Sequence, residues 1–491
     1  MIKRVLGVIA IALLGLIAIQ AFNTARFSPQ STAVAQITLP VVDEDAVVAH
    51  LGEAIRFKTI STSTDMTNRG PAFQGFVDWL VATYPAANAA LSREMIGGLT
   101  PLYRWQGLDD TLKPILLTAH YDVVPVAQTG LDDWQQPPFS GAVAGGFIWG
   151  RGALDDKSAV VAIMESVEAL VVSGHAPKRT IYLSFGHDEE IGGSDGAGAV
   201  AVYLKDQGVQ MAWSLDEGSM ILVDVIAGLD SPVASINVAE KGYVSLDITA
   251  HAIGGHSSLP PRDTAVSALA QSLTNLQSAP VPGGLTDVSK EFFDALGPYF
   301  SLEKRVLFAN QWLYRPLLNK VLSGSPATDA MLRSSKAPTM LQGSAKDNVL
   351  PQTAVATVNY RIHPRDSIET IIAHTHEMIG TPEISVEIRG GEGREPSVVS
   401  SSENQAFATL ELTFRQVFGD LIVVPGLTVA GTDSRHYALI SDDSYRINPF
   451  MFTGDDIKRL HGRNERIPVD GMIKAVQFYS TLIRNADKPG N

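Results

Sequence analysis

The stretch Pro114-Ile115-Leu116-Leu117-Thr118-Ala119-His120-Tyr121-Asp122 reads as a short buried strand that ends in two polar side chains. An apolar run of this length without alternation suits a strand covered on both faces. In extended chain, residues two apart point the same way, so His120 and Asp122 share a face. His-x-Asp suits a metal-bound imidazole and the carboxylate that receives its other N–H. It is also what the polar end of any strand can look like.

The pattern repeats downstream. Thr180 to Phe185 is a second apolar run, followed by His187-Asp188-Glu189-Glu190-Ile191-Gly192-Gly193. Met211 to Leu215 is a third, followed by Asp216-Glu217-Gly218. Between the first two, Gly150-Arg151-Gly152-Ala153-Leu154-Asp155-Asp156-Lys157 leads into an apolar, Ala-rich helix over Ser158 to Val172. Helices are also expected at Val42 to Phe57, Pro71 to Tyr84 and Val200 to Gln207. Strands alternating with helices predict an α/β fold with a mainly parallel sheet and helices on both faces. Ligand sites in such sheets lie beyond the carboxyl ends of the strands, which is where the polar clusters fall.

Taken singly, each cluster has a plainer reading. Asp155 or Asp156 serves equally as a helix cap, and Asp188-Glu189-Glu190 as a solvated acidic loop. Three adjacent acids inside an apolar segment otherwise need a cation. One glutamate on a metal beside a free one would place a ligand next to a general base. His461, in His461-Gly462-Arg463-Asn464-Glu465-Arg466, offers a second imidazole. The chain has no cysteine, which excludes a thiolate site, a cysteine nucleophile and a disulfide framework. Oxygen and imidazole donors suit a hydrolytic zinc site, and bridging carboxylates suit two ions.

A second block has a different rhythm. Strands are expected at Tyr243 to His251, Ala354 to Ile362 and Ile384 to Ile388, with helices at Thr264 to Ser278 and Ile368 to Ile379. This reads as a small sheet with two helices on one face, inserted into the larger domain. Within it, roughly 280–338 is a long insertion with aromatic residues and some helical periodicity. The final helix is expected at Asp470 to Ala486. The organisation is therefore a catalytic domain over 41–240 and 393–491, interrupted by a lid-like domain over 241–392.

At 491 residues the chain is too long for one ordinary core. Apolar residues make up 45% and charged residues 18%, which fits a folded chain. A net charge of −14 argues against a nucleic-acid partner, which needs a basic face. At the amino terminus, Lys3 and Arg4 precede an apolar run from Val5 to Ile19, the pattern of a signal peptide or a membrane anchor. Ala18-Ile19-Gln20-Ala21 is a poor cleavage site, so an uncleaved anchor over 1–22 is expected, followed by a tether over 23–40. The preceding basic residues send the body outside the cytoplasm; cleavage would leave it secreted or periplasmic.

The segments Thr118 to Pro125, Trp149 to Lys157, Asp188 to Gly193 and His461 to Arg466 together resemble the zinc aminoacylase and carboxypeptidase family, peptidase family M20. Leu215-Asp216-Glu217-Gly218 and the long insertion resemble most its carboxypeptidase S and N-fatty-acyl-amino-acid hydrolase branch. The resemblance implies a zinc-peptidase catalytic domain with an inserted α+β, ferredoxin-like lid. It implies two zinc ions per subunit: Asp155 bridging, His120 and Asp216 on one ion, Glu190 and His461 on the other. Other branches use glutamate at the Asp216 position, and Glu217 stands next to it. Asp122 would orient His120 and Glu189 would be the general base. The substrate carboxylate would meet Asn348 and Arg361, Arg435 and His436 would touch substrate from the catalytic side, and His256 would stabilise the oxyanion. The expected activity is hydrolysis of an amide next to a free carboxylate, in short peptides or N-acyl amino acids. The alternative is a membrane-tethered binding protein of the same fold without turnover. Oligomeric state stays open.

Overall fold

The structure, a computed structural model, describes residues 1–29, 34–35, 37–62, 70–380 and 384–487. The three runs that opened the reading are the strands Ile115–His120, Ile181–Gly186 and Trp213–Asp216, each buried along its whole length. Ile115–His120 lies at the centre, parallel to both others, and Trp213–Asp216 pairs in parallel with Ser444–Arg446. The ten-stranded sheet is mixed at its margins. An antiparallel hairpin, Ser92–Ile96 with Thr100–Trp105, closes one side, and Val233–Glu240 with its parallel partner Ile422–Thr428 closes the other.

Helices cover both faces. Glu44–Arg56, Gly70–Thr83, Lys157–Val172, Gln405–Phe418 and Val469–Ala486 bury one large apolar cluster against the sheet. Ala199–Asp206 covers the other face with a smaller one. Lys157–Val172 is apolar all round because it is enclosed all round, by Glu44–Arg56, Val469–Ala486 and the sheet.

The inserted domain has an antiparallel sheet in the order Ser335–Gln342, Thr353–Ile362, Gly242–His251, Ile384–Arg394. With Ala265–Ser278 and Ile368–Ile379 packed on it, the chain order strand–helix–strand–strand–helix–strand gives the expected ferredoxin-like arrangement. The long insertion departs from that expectation. It forms the helices Asp287–Leu296, Leu302–Ala309, Gln311–Leu322 and Pro326–Leu332. Phe292, Phe293, Leu296 and Leu318 pack with Val233, Ile422 and Val424, so these helices attach to the edge of the catalytic sheet.

The N-terminal helix spans Ile2–Arg26 and runs past the expected start of the tether. Asn23 donates to Asn310 at 3.0 Å, and Tyr314 donates to Gln20 at 2.6 Å, so its last turns join the inserted helices.

Candidate functional site

The turn before Lys157–Val172 is built around Glu465. This buried carboxylate accepts from the N–H groups of Gly152 at 2.9 Å and Leu154 at 2.8 Å, and from Arg151 Nη1 at 2.6 Å. Gly152 adopts φ +88°, a left-handed conformation that a side chain would strain. The turn thereby presents Asp155. Neither aspartate caps the helix: Asp156 makes no side-chain cap bond and accepts from Asn448 at 2.7 Å.

Asp155 lies between two imidazoles, at 3.0 Å from His120 Nε2 and 2.9 Å from His461 Nε2. His461 also stands 3.3 Å from Glu190. On the far side of His120, Nδ1 is 3.3 Å from Asp122, whose two oxygens accept from the N–H groups of Glu189 and Glu190, each at 3.2 Å. Asp122 thus ties the first strand end to the second. Two groups have ligand atoms within 4.8 Å of one another: His120, Asp155 and Glu190, and His120, Glu189 and Glu217.

Two adjacent carboxylates stand at the fourth position. Glu217 reaches to 4.0 Å from His120 Nε2. Asp216 accepts from the Glu217 N–H at 2.9 Å, and its other oxygen is buried without a hydrogen-bond partner. Glu217 is therefore the one of the two that approaches His120 here, with Asp216 buried directly beside it.

The electrostatics are those of a crowded anion cluster. Burial, with Asp433, Glu190 and Asp155 adding to it, pushes Glu189 well above the usual carboxylate range. Burial alone would lower His120, but hydrogen bonds with Asp122 and Asp155 outweigh it and hold the imidazole well above its ordinary value. Bonds with Asp155 and Glu190 raise His461 to about 10. Imidazolium protons here neutralise carboxylates that a divalent cation would neutralise better, and the donor set fits such a cation.

The cluster forms one wall of a cleft of about 400 Å³. Glu189, Glu190 and His461 face Lys241, Arg361, Arg394 and Arg435. Arg361 and Arg394 both lie over the Tyr243 ring, at 5.0 and 5.6 Å. Burial and the charges of Arg435 and Arg361 lower Arg394, and burial brings Lys241 down to about 7. So many cations around one space are stabilised by an anion in it. At Gly192, φ +112°, a Cβ would come within 3.7 Å of Arg394 Nη1 and 4.0 Å of Arg435 Nη2.

Other expected substrate contacts fall elsewhere. His436 Nε2 donates to the Gly192 carbonyl at 3.0 Å and so braces the loop, and burial lowers its pKa. His256 is exposed on a small antiparallel pair of strands in the inserted domain, Asn348 is exposed in the turn just before its partner strand, and neither lines the cleft. Both lie on its protruding tip, whose position no local pattern specifies. Arg394 and Glu465 escaped sequence reasoning. Arg394 stands in Gly391-Glu392-Gly393-Arg394-Glu395, a segment the pattern reading did not single out, whereas Glu465 sat inside an already noted segment.

Residues 116–485 match the family model "Peptidase family M20/M25/M40". The chain is 37% identical to a probable carboxypeptidase S-like 2 of Dictyostelium discoideum, over 97% of this chain and 93% of that one. It is 34% identical to the mouse N-fatty-acyl-amino acid synthase/hydrolase PM20D1, over 95% and 93%. Its fold is similar to the M20 family metallo-carboxypeptidase Sso-CP2 from Sulfolobus solfataricus, with a TM-score of 0.63, 17% identity and coverage of 89% and 98%. Human carnosine dipeptidase 1 follows with a TM-score of 0.59, 15% identity and coverage of 90% and 96%. With its clustered carboxylates and imidazoles at the ends of a mainly parallel sheet, the chain belongs to peptidase family M20/M25/M40 and is an enzyme of its metallopeptidase and amidohydrolase type.

Proposed function

We propose that this enzyme hydrolyses an amide bond next to a free carboxylate, in short peptides or N-acyl amino acids. The observation that carries the reading is the cleft itself: a glutamate-rich wall opposite Arg361, Arg394 and Arg435. An amide flanked by a carboxylate has the two groups such walls would receive. The names of the relatives, a carboxypeptidase and an N-fatty-acyl-amino acid synthase/hydrolase, cover both substrate classes.

His120, Asp155, Glu190, His461 and the Asp216-Glu217 pair would hold two zinc ions, with Asp155 shared. When bound, the ions would supply Lewis acidity toward the amide carbonyl and acidify water. Asp122 holds the His120 ring by its Nδ1 side. Glu189 takes the proton of the attacking water and delivers it to the leaving nitrogen. Arg361, with Arg394 and Arg435, clamps the substrate carboxylate. His256 and Asn348 would act only after the inserted domain moves toward the cleft. Glu189 and its neighbours stand ready for proton transfer, which disfavours a tethered binding protein without turnover.

Glu189→Gln is expected to reduce kcat by roughly 10²–10⁴-fold while elemental analysis still finds the wild-type metal content. Near-wild-type turnover by that variant would refute the base assignment. Assays on dipeptides and on N-acyl amino acids decide between the two substrate classes.

Within the helix Ile2–Arg26 a stretch of 18 residues has a mean hydropathy of 2.6, and the helix is long and apolar enough to cross a membrane. In this reading it is an uncleaved anchor, with Lys3 and Arg4 on the cytoplasmic side and the body outside. Its final turns support retention, since cleavage near Ala21 would strip Gln20 from Tyr314.

A further inference from the structure

The inserted helix Gln311–Leu322 has an apolar face on each side. Leu318 points inward, 2% exposed, into the cluster of Phe293 and Phe308. On the outer side, Leu313, Leu317 and Val321 recur at helical spacing and are all exposed, and Trp312, 59% exposed, lies about 100° round the helix from Leu313. Leu302, on the preceding helix, is exposed as well. A water-facing helix is normally polar on its outer side, and contiguous exposed apolar surface marks an interaction site.

The place of this face in the molecule indicates its partner. The helix begins where the N-terminal helix leaves its apolar run. Asn310 Nδ2 is 3.3 Å from Thr24 Oγ1, Tyr314 donates to Gln20, and Phe27 packs on Gly297 and Phe308. A hydrocarbon core of about 30 Å takes roughly 20 helical residues. Counted from Val5, just after Lys3 and Arg4, that length ends near Thr24. The lipid boundary then falls level with Asn310 and Tyr314, and the polar groups at this depth satisfy one another, as lipid requires. The charge matches too: between Leu302 and Leu322 the only acid is Glu303, against Lys304, Arg305, Arg315 and Lys320, in a chain of net charge −14. An apolar helix face flanked by basic residues and a tryptophan is the composition of interfacial helices.

We propose that Gln311–Leu322 is a membrane seat, resting in the interfacial layer of the bilayer that the N-terminal helix crosses and meeting anionic phospholipid through Arg315 and Lys320. The seat rests on the anchor reading above. It holds the body in one orientation to the membrane, where a helix on a loose tether would let it swing.

The chain has no cysteine, so single labels are clean. The full chain would carry an environment-sensitive fluorophore at Leu317→Cys, Leu13→Cys in the anchor, or Leu108→Cys at the opposite side of the sheet. Each would be reconstituted into phosphatidylcholine vesicles with phosphatidylglycerol, with or without brominated acyl chains. Leu317 and Leu13 labels should lose most of their emission to bromine, and Leu108 none. Arg315→Glu with Lys320→Glu should weaken the loss at Leu317 alone. A quenched Leu13 label with an unquenched, water-like Leu317 label overturns the seat and spares the anchor. Absence of quenching at both sites overturns the two together. A blue-shifted Leu317 label that bromine leaves untouched means that a second copy of the chain covers the face, which also overturns the seat.

Discussion

Glu465 does its work at a distance from any substrate. It gathers the Gly152 and Leu154 N–H groups and the Arg151 guanidinium around one buried carboxylate, and so aims Asp155. Removing one partner of a buried pair leaves an uncompensated charge, at a cost of about 3–5 kcal/mol. Glu465→Ala is therefore expected to lose about that much stability in chemical denaturation, with Glu465→Gln, which keeps an acceptor oxygen, losing less. Across the cleft, Arg361 is the residue the sequence nominated for the substrate carboxylate and Arg394 its unforeseen companion. A charged hydrogen bond is worth about 1.5–3 kcal/mol. Arg361→Ala should raise KM by about 10–100-fold on carboxylate substrates, and by little on the corresponding uncharged amides. Equal losses on both substrates would remove Arg361 from the clamp. At the fourth ligand position, Glu217→Ala should lower bound metal more than Asp216→Ala, as measured by elemental analysis of the purified variants.

Elements announced by strong periodicity came out within a few residues of expectation, because burial on all sides leaves an apolar run little choice. Glu44–Arg56 and Lys157–Val172 are such a pair. Across their contact, His50 Nδ1 meets Glu165 at 2.5 Å. The bond with Glu165 raises His50 above the ordinary imidazole value, against the lowering effect of burial. A raised histidine stabilises the fold fully below its unfolded pKa and loses that contribution as pH climbs through the folded value. The stability difference between wild type and His50→Gln, followed by thermal denaturation, should shrink as pH rises from below about 6.5 through that window. Constancy across it would separate His50 from the pH response. Val233–Glu240 and Ile422–Thr428 were missed as strands. Ile422–Thr428 pairs only with Val233–Glu240, almost two hundred residues earlier in the chain, so no local partner announces it.

Over the whole chain, the catalytic and inserted domains meet where the backbone crosses twice. Gly242 enters the inserted sheet directly beside the segment that leaves it: a Cβ there would lie 2.5 Å from the Arg394 carbonyl oxygen and 2.6 Å from Pro396 N. Those contacts are backbone and have little room to yield. Gly242→Ala should force the two passages apart, with a stability loss of about 1–3 kcal/mol. Because Arg394 lines the cleft, kcat and KM are expected to change together. Unaltered kinetics in a destabilised variant would show that the crossing does not govern the cleft.

The fold class, the inserted ferredoxin-like domain and most of the carboxylate and imidazole cluster were readable in the linear chain. The layers and the polar strand ends follow from local rules, in which apolar runs become buried strands and periodicity marks helices, while the ferredoxin-like lid and the ligand set came from the family resemblance. The approach of Glu217 to His120, the entry of Arg394 into the cleft and the attachment of the insertion to the catalytic sheet were decided only by the folded chain. So was the absence of His256 and Asn348 from the cleft lining. Those outcomes depend on which distant backbone passes within a few ångströms of another, and residues far apart in the chain carry no local trace of such an encounter.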